Sequence, residues 1–544
     1  MESSTLDKRT AVPAGPKRDA AGAEPQLKRN AIGFWSTLTV GIASPAPAYT
    51  AAATLAGAGM LVSTAGLKSP AILLLGFIPL LLVAASFAYL NRAMPDAGTA
   101  FTWSSKALGS TMGFFTGWGM VISNTLVVGA LAEVAAHYGF ALLGLDALTE
   151  SKGAVLVAAG AMMALGTWIS ARGVETSAVV EKVLIGFQVA GLLLLGGVAL
   201  VRVFLGIGDL PAAASKPQLD WFSPFGMDSS ALIGGLLLAA FIFWGWDAAV
   251  ALAEEVKGGP KTAGRAGIMS MVVLLGLYLL TTTGLLSFAG ADGVANADDF
   301  GVLGAQVLGS AAAGKMILLV VFLASVASVQ ATILFTARTT FGMARRNALP
   351  FALARTDKNG SPAVATLTIG GLAIGSFVVL DLLSTTFRAD SLAALGLFVA
   401  FYYGIAGLSN AVYFRRVAVR SAKKMVMLVL LPLVGAASLF FVVVKSVVDL
   451  TGGAAGTWSA PLGVQPPLVI AVGFMAIGAA YIGYRHLTGR THDFLGARKE
   501  AAPADFFERE ALQARHDEPV DGITDVPGDQ TVRPTPERQP ALAE

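Results

Sequence analysis

The sequence contains no cysteine in 544 residues. That excludes disulfides, thiol nucleophiles, iron–sulfur clusters and cysteine-ligated zinc together. Histidine is scarce, and His137, His486, His492 and His516 show no metal-ligand spacing. No glycine-rich phosphate loop is present, so the chain is not expected to be ATP-driven. No candidate nucleophile stands with a base, so no catalytic residue and no cofactor is assigned. Asp, Glu, Lys and Arg make up only 13% of the chain, about half their share in soluble proteins. The net charge of +3 is too small to indicate a nucleic-acid partner. Residues 1–30 lack the apolar core of a cleavable signal peptide, so the first membrane helix is expected to act as its own targeting signal.

What is abundant is apolar sequence in long blocks. The hydrophobic content is 55% and the mean hydropathy is +0.68. A soluble chain of this length would divide into domains with polar surfaces. A membrane helix needs about 20 mostly apolar residues. By that rule the chain holds about twelve blocks, at 34–59, 70–91, 112–142, 153–171, 177–205, 229–253, 265–289, 315–341, 363–384, 391–414, 425–447 and 466–487. The expected fold is therefore an all-α integral membrane protein in a lipid bilayer.

The cations alternate between the loops. One set holds Lys8, Arg9, Lys17, Arg18, Lys28 and Arg29, then Arg92 and Lys106, then Arg172. It continues with Lys257, Lys261 and Arg265, with Arg345, Arg346, Arg355 and Lys358, and with Arg415, Arg416, Arg420, Lys423 and Lys424. The other set is poor in Lys and Arg. The positive-inside rule places both termini in the cytoplasm. The two ends, charged and rich in Pro and Ala, read as disordered tails. The C-terminal one carries Asp505, Glu508, Glu510, Asp517 and Glu518.

Two blocks look interrupted. The first contains Gly41-Ile-Ala-Ser-Pro-Ala-Pro47, where Pro45 and Pro47 lack N–H donors and clash with the preceding turn. The sixth contains Phe241-Ile-Phe-Trp-Gly-Trp-Asp247. Broken helices are tolerated in lipid only where they line a cavity or are buried in protein. Breaks at matching positions of two halves point to a transporter built of inverted repeats. Free carbonyls there suit cations and ammonium groups, and half-helix N-termini suit anions.

Three motifs then carry a resemblance. The first is Phe243-Trp-Gly-Trp-Asp-Ala-Ala-Val-Ala-Leu-Ala-Glu-Glu-Val-Lys257 with Pro260 and Arg265. The second is Pro95-Asp-Ala-Gly-Thr-Ala-Phe101 with Gly109, Gly113 and Gly117. The third is Arg338, then Met343-Ala-Arg-Arg-Asn-Ala-Leu-Pro350, then Ser361-Pro362. In this order they resemble the amino acid–polyamine–organocation superfamily, in particular its bacterial amino-acid permeases, over roughly residues 30–490.

The resemblance implies a leucine-transporter-like fold with two inverted five-helix repeats and two extra helices. Its parts are a basic cytoplasmic tail (1–30), a first repeat (31–206), a second repeat (207–416), helices 11 and 12 (417–490) and an acidic cytoplasmic tail (491–544). It implies a secondary transporter of the bacterial cytoplasmic membrane that works by alternating access. Its site would lie between helices 1, 3, 6 and 8. An amino acid is the expected substrate, with an amine or polyamine as the alternative and a transport-dead amino-acid sensor as a third.

The residues expected at the substrate are Gly41, Ser44, Pro45, Ala46, Pro47 and Ala48 from the first break, and Phe241, Trp244, Gly245 and Asp247 from the sixth. Phe241 is placed where related permeases put an aromatic lid. Asp247 would bind an ammonium, carry a proton or cap the second half-helix. Where the family usually has Gly-x-Gly, this chain has Pro45-Ala46-Pro47, which leaves only the N–H groups of Ser44, Ala46 and Ala48 to meet a carboxylate. Coupling to protons or sodium is the expectation. The fifth-helix lysine of proton-coupled relatives is replaced by Gln188, a neutral amide. Ser325 and Ser328, with carbonyls near Gly41 and Ser44, would supply a sodium site. Glu254 and Glu255, near Lys257 and Arg265, read as an intracellular gate or structural ion pair, and Arg338 as a gate or an anchor. Tyr402 and Tyr403 are assigned to an outer gate.

Overall fold

The structure is a computed structural model that describes residues 25–55, 60–383, 387–451, 464–488, 494 and 499–510. Among these residues no strand forms, and the single isolated bridge joins Ile32 and Val256. Ten helices among the described residues are long and apolar enough to cross a membrane. The chain is thus an all-α, multi-pass membrane protein. The blocks that fall short by length are the first and the sixth, and both are broken. The first divides into α1 (Phe34–Ala43) and α2 (Pro47–Leu55). The sixth divides into α8 (Ser229–Ile242) and α9 (Ala248–Ala251).

Between them lie α3 (Ser69–Ala93), α4 (Ala100–Leu108), α5 (Ser110–Leu142), α6 (Lys152–Ala171) and α7 (Val174–Leu205). After them come α10 (Gly259–Ala295), α11 (Ala311–Arg345), α12 (Ala363–Leu383), α13 (Phe387–Tyr413), α14 (Leu431–Thr451) and α15 (Pro466–Leu487). Burial sorts centre from rim. The apolar window of α5 is 94% buried and that of α11 is 72%, against 22% for α15. Helices α5 and α11 therefore form the middle of the bundle, and they pack on each other.

Gly98 of the second motif and Gly342, just ahead of Met343 in the third, have a packing reason. A Cβ at Gly342 would lie 2.4 Å from the backbone nitrogen of Gly98. Only hydrogen at that position lets the end of α11 reach the loop between α3 and α4.

Residues up to Ala502 form one unit and those from Pro503 a second. In the second, Asp505 pairs with Arg509 one turn away at 2.6 Å. The expectation of disorder throughout both tails is corrected for the described parts of the first unit. Leu27 is buried, and Lys28 pairs with Glu175 at 2.7 Å. At the other end Phe494 is buried, stacks on Phe101 with ring centroids 5.8 Å apart, and accepts from the Ser110 hydroxyl at 2.8 Å. The N–H of Glu500 donates to the Lys106 carbonyl, and that of Ala502 to the Tyr413 carbonyl. Aromatic burial and backbone pairing fix these residues in spite of their polar composition. Asp517 and Glu518 lie outside the described residues.

Candidate functional site

The first break follows from its prolines. Pro47 has no N–H to lose at the first position of α2. Between the prolines Ala46 adopts φ +47°, a left-handed conformation that costs a residue with a Cβ about 1–2 kcal/mol. Two of the three amides expected to face a carboxylate are already used. Ser44 donates to the Val40 carbonyl at 3.1 Å and Ala46 to that of Ala43 at 3.0 Å. The N–H of Ala48 is the one of the three with no acceptor among the described residues. Gly41 faces helix α10, where a Cβ would sit 2.4 Å from the Ser270 hydroxyl.

The second break meets the first. Gly245 has φ +93°, and a Cβ there would lie 3.0 Å from Ser44 Oγ and 3.1 Å from the nitrogen of Pro45. Replacing Gly245 with Ala adds backbone strain and pushes the two breaks apart. The expected cost is about 1–3 kcal/mol, read as a lower apparent melting temperature and lost ligand response. A Gly245→Ala protein as stable as the parent would contradict this packing.

Asp247 is fully buried. Its carboxylate does not cap α9, which sets aside the capping role. It accepts instead from Tyr403 Oη at 2.9 Å and from Tyr402 Oη at 3.4 Å. The N–H of Gly245 in turn donates to Tyr403 Oη at 3.3 Å. The assignment of both tyrosines to an outer gate is therefore corrected. They are fully buried on α13 and hold the sixth-block break. Trp246 stacks on Tyr403, and Phe87 stands edge-on to Trp103, Trp246 and Tyr403. Sequence reading missed this aromatic group. The signal was present in the tandem Tyr402-Tyr403, but its partner lies more than 150 residues away along the chain.

Trp244 is buried as well. Phe241 lines an apolar cavity of about 220 Å³ with Leu238, Leu392, Gly396, Leu397 and Val442. Ser328 on α11 donates its hydroxyl to the Ser44 carbonyl, so it does converge on the first break. Ser325 turns its hydroxyl back to the Val321 carbonyl of its own helix. Gln188 is fully buried on α7, and neither of its amide atoms has a partner among the described residues.

Both glutamates after the sixth block are in ion pairs, but not with Lys257 or Arg265. Glu255 accepts from Arg338 Nε at 2.9 Å and Nη2 at 3.1 Å, and both side chains are buried. Glu254 accepts from Arg345 and from the N–H of Ala97 at 2.8 Å. Asp96 completes this network through Arg345 at 3.0 Å and Arg346 at 2.8 Å. Burial alone would raise the Asp96 carboxyl. The nearby Arg346 and Arg345 guanidiniums and the Thr102 hydroxyl outweigh it and hold the group down at about 2. Backbone pairing closes the same end, where the N–H of Ala31 donates to the Glu255 carbonyl at 2.8 Å and that of Lys257 to the Ile32 carbonyl at 2.7 Å.

Two interrupted helices that meet at a buried acid, sealed at one end by ion pairs, have the build of a membrane permease. A family model described as "Amino acid permease" matches residues 32–477, and the chain belongs to that family. It is similar to the branched-chain amino acid permease BcaP of Bacillus subtilis (28% identity, covering 69% of this chain and 80% of the relative). It is also similar to the methylthioribose transporter of the same organism (26%, 63% and 73%). A third relative is the L-methionine/branched-chain amino acid exporter YjeH of Escherichia coli (27%, 59% and 72%).

Proposed function

We propose that this permease is a secondary active transporter of amino acids in a bacterial cytoplasmic membrane, with both termini in the cytoplasm. The observation that carries the reading is the contact of the two breaks beside Asp247. The α-ammonium of a substrate would sit at the acid and at the carbonyls of Phe243 and Trp244, which accept no hydrogen bond among the described residues. The carboxylate would sit at the N-terminal turn of α2, where Ala48 keeps a free amide. Substrates named for two of the relatives, branched-chain amino acids and methionine, have this pair of charged groups on an apolar side chain.

The closed end supports alternating access by the same chain. The Glu255–Arg338 and Glu254–Arg345 pairs and the Ile32–Val256 bridge would part to release substrate inward. A gradient would drive the cycle in the uphill direction.

Thermal stabilisation of the purified protein by L-leucine, L-methionine and putrescine tests the reading. A ligand at about 100 times its Kd stabilises by about 2.7 kcal/mol when it binds only the folded state. A shift with either amino acid, followed by uptake into proteoliposomes, is the expected result. A shift with putrescine alone transfers the proposal to amines. No shift and no uptake with any of the three overturns it.

A further inference from the structure

Helix α7 carries Ser177, Glu181 and Gln188 on one face, since offsets of four and eleven residues return to within about 40° of the same direction at ~3.6 residues per turn. All three are fully buried. The Ser177 hydroxyl, both carboxyl oxygens of Glu181 and both amide atoms of Gln188 have no partner among the described residues. An ionised carboxylate left like this inside a membrane costs several kcal/mol. An acid in a membrane helix is also rare enough to ask for a function. The pairs at the closed end do not use Glu181, and Gln188 cannot titrate.

The neighbours of α7 supply no counter-charge. Helix α1 has no titratable side chain and α2 has only Tyr49. On α10, Lys261 and Arg265 lie at its start and Tyr278 further along; Arg265 is exposed. On α11, Arg338 and Arg345 are held by Glu255, Glu254 and Asp96, and Lys315 lies at the far end. Arg172, just beyond α6, lies over the Trp168 ring at 3.7 Å. On α7 itself Glu175 pairs with Lys28, Lys182 is exposed, and Arg202, at the far end, bonds the Gln306 and Val307 carbonyls. Asp292 and Asp299 lie at the same far end, and Asp299 caps its own helix.

We propose that Glu181 is the proton-carrying group that couples this permease to a proton gradient. The inference rests on the permease reading above. Glu181 lies seven residues into α7, about 10 Å from its start at ~1.5 Å per residue. A cavity of about 250 Å³ stands at that start, lined by Arg172, Val174, Glu175 and Ser361 and reaching Glu255. Helix α1 packs over α7, and the bridge of Ile32 to Val256 lies just ahead of it. In the closed state the carboxyl holds one proton. When the bridge parts, water enters from the cavity, the O–H bond breaks, the proton leaves to the cytoplasm and a hydrated carboxylate remains. Reprotonation from the opposite side, past Gln188 with its free donor and acceptor, resets the cycle with one proton moved.

The test uses the full chain in proteoliposomes, with labelled L-leucine, L-methionine and putrescine as probes, and compares Glu181→Gln with the parent. The variant is expected to keep counterflow exchange, which needs no net proton. It should lose accumulation driven by a pH gradient and the proton uptake that accompanies it. Gradient-driven accumulation equal to the parent's would overturn the proposal. Infrared spectra of the purified proteins give an arm that needs no substrate. The parent should show a carbonyl stretch of a protonated carboxyl that Glu181→Gln lacks, and identical spectra would also overturn the proposal. If the parent exchanges none of the probes, the substrate reading fails, and the infrared comparison still decides whether Glu181 carries a proton.

Discussion

Asp247→Asn is expected to abolish measurable uptake and to weaken ligand binding by at least about 100-fold, the effect of about 3 kcal/mol lost from a buried charge pair. The asparagine oxygen still accepts from Tyr403, so the break keeps its shape and only the charge is removed. Tyr403→Phe makes the converse change. It leaves the carboxylate with one of its two hydroxyl donors, and the Gly245 amide loses its acceptor. Its expected signature is reduced stability with a smaller loss of affinity. Ligand-induced thermal shifts and proteoliposome uptake, measured on both variants, separate the two roles. Unimpaired uptake by Asp247→Asn would make the acid a structural latch and nothing more.

Arg338→Met is expected to destabilise the protein by about 3–5 kcal/mol, because it leaves Glu255 buried without a counter-charge. The geometry is bidentate, and neither side chain reaches solvent. Glu255→Met should be similarly harmful. The double variant should recover most of the loss, since two apolar side chains of similar size satisfy each other. A double-mutant cycle on apparent melting temperature measures this coupling. Additive losses would mean that the two residues act separately and that the pair does not seal this end.

Much of this architecture could be read along the chain. Lipid as solvent demands long apolar helices, so hydropathy locates nearly every one of them within a few residues. The breaks were legible for an equally local reason. Pro45, Pro47 and Gly245 interrupt helices wherever they occur, and Asp247 beside a break stands out against apolar neighbours.

Partners were another matter. Glu254 and Glu255 have Lys257 nearby in sequence, yet their cations are Arg345 and Arg338 from α11, which only the folding of α11 against the sixth block brings near. The amides of Ser44 and Ala46 looked available, but Ser44 continues the helical bonding of α1 to the Val40 carbonyl and the turn at Ala46 bonds its own amide to the Ala43 carbonyl. Glu181 drew no notice in sequence, since nothing near it in the chain shows that its face of the helix turns inward. Helix α7 has one face in the bundle and one outside it, with 39% of its apolar window buried.

The sequence by itself determined that this protein spans a membrane, that two of its helices are broken, and to which family it belongs, because helix formation in lipid and helix interruption depend on residues close together in the chain. Only the tertiary structure decided that Asp247 is held by two tyrosines, that the closing ion pairs run to α11, and that Glu181 faces inward with no partner among the described residues. Burial and charge pairing are set by helices that meet in space from distant parts of the chain, and no local pattern records which face each helix turns inward.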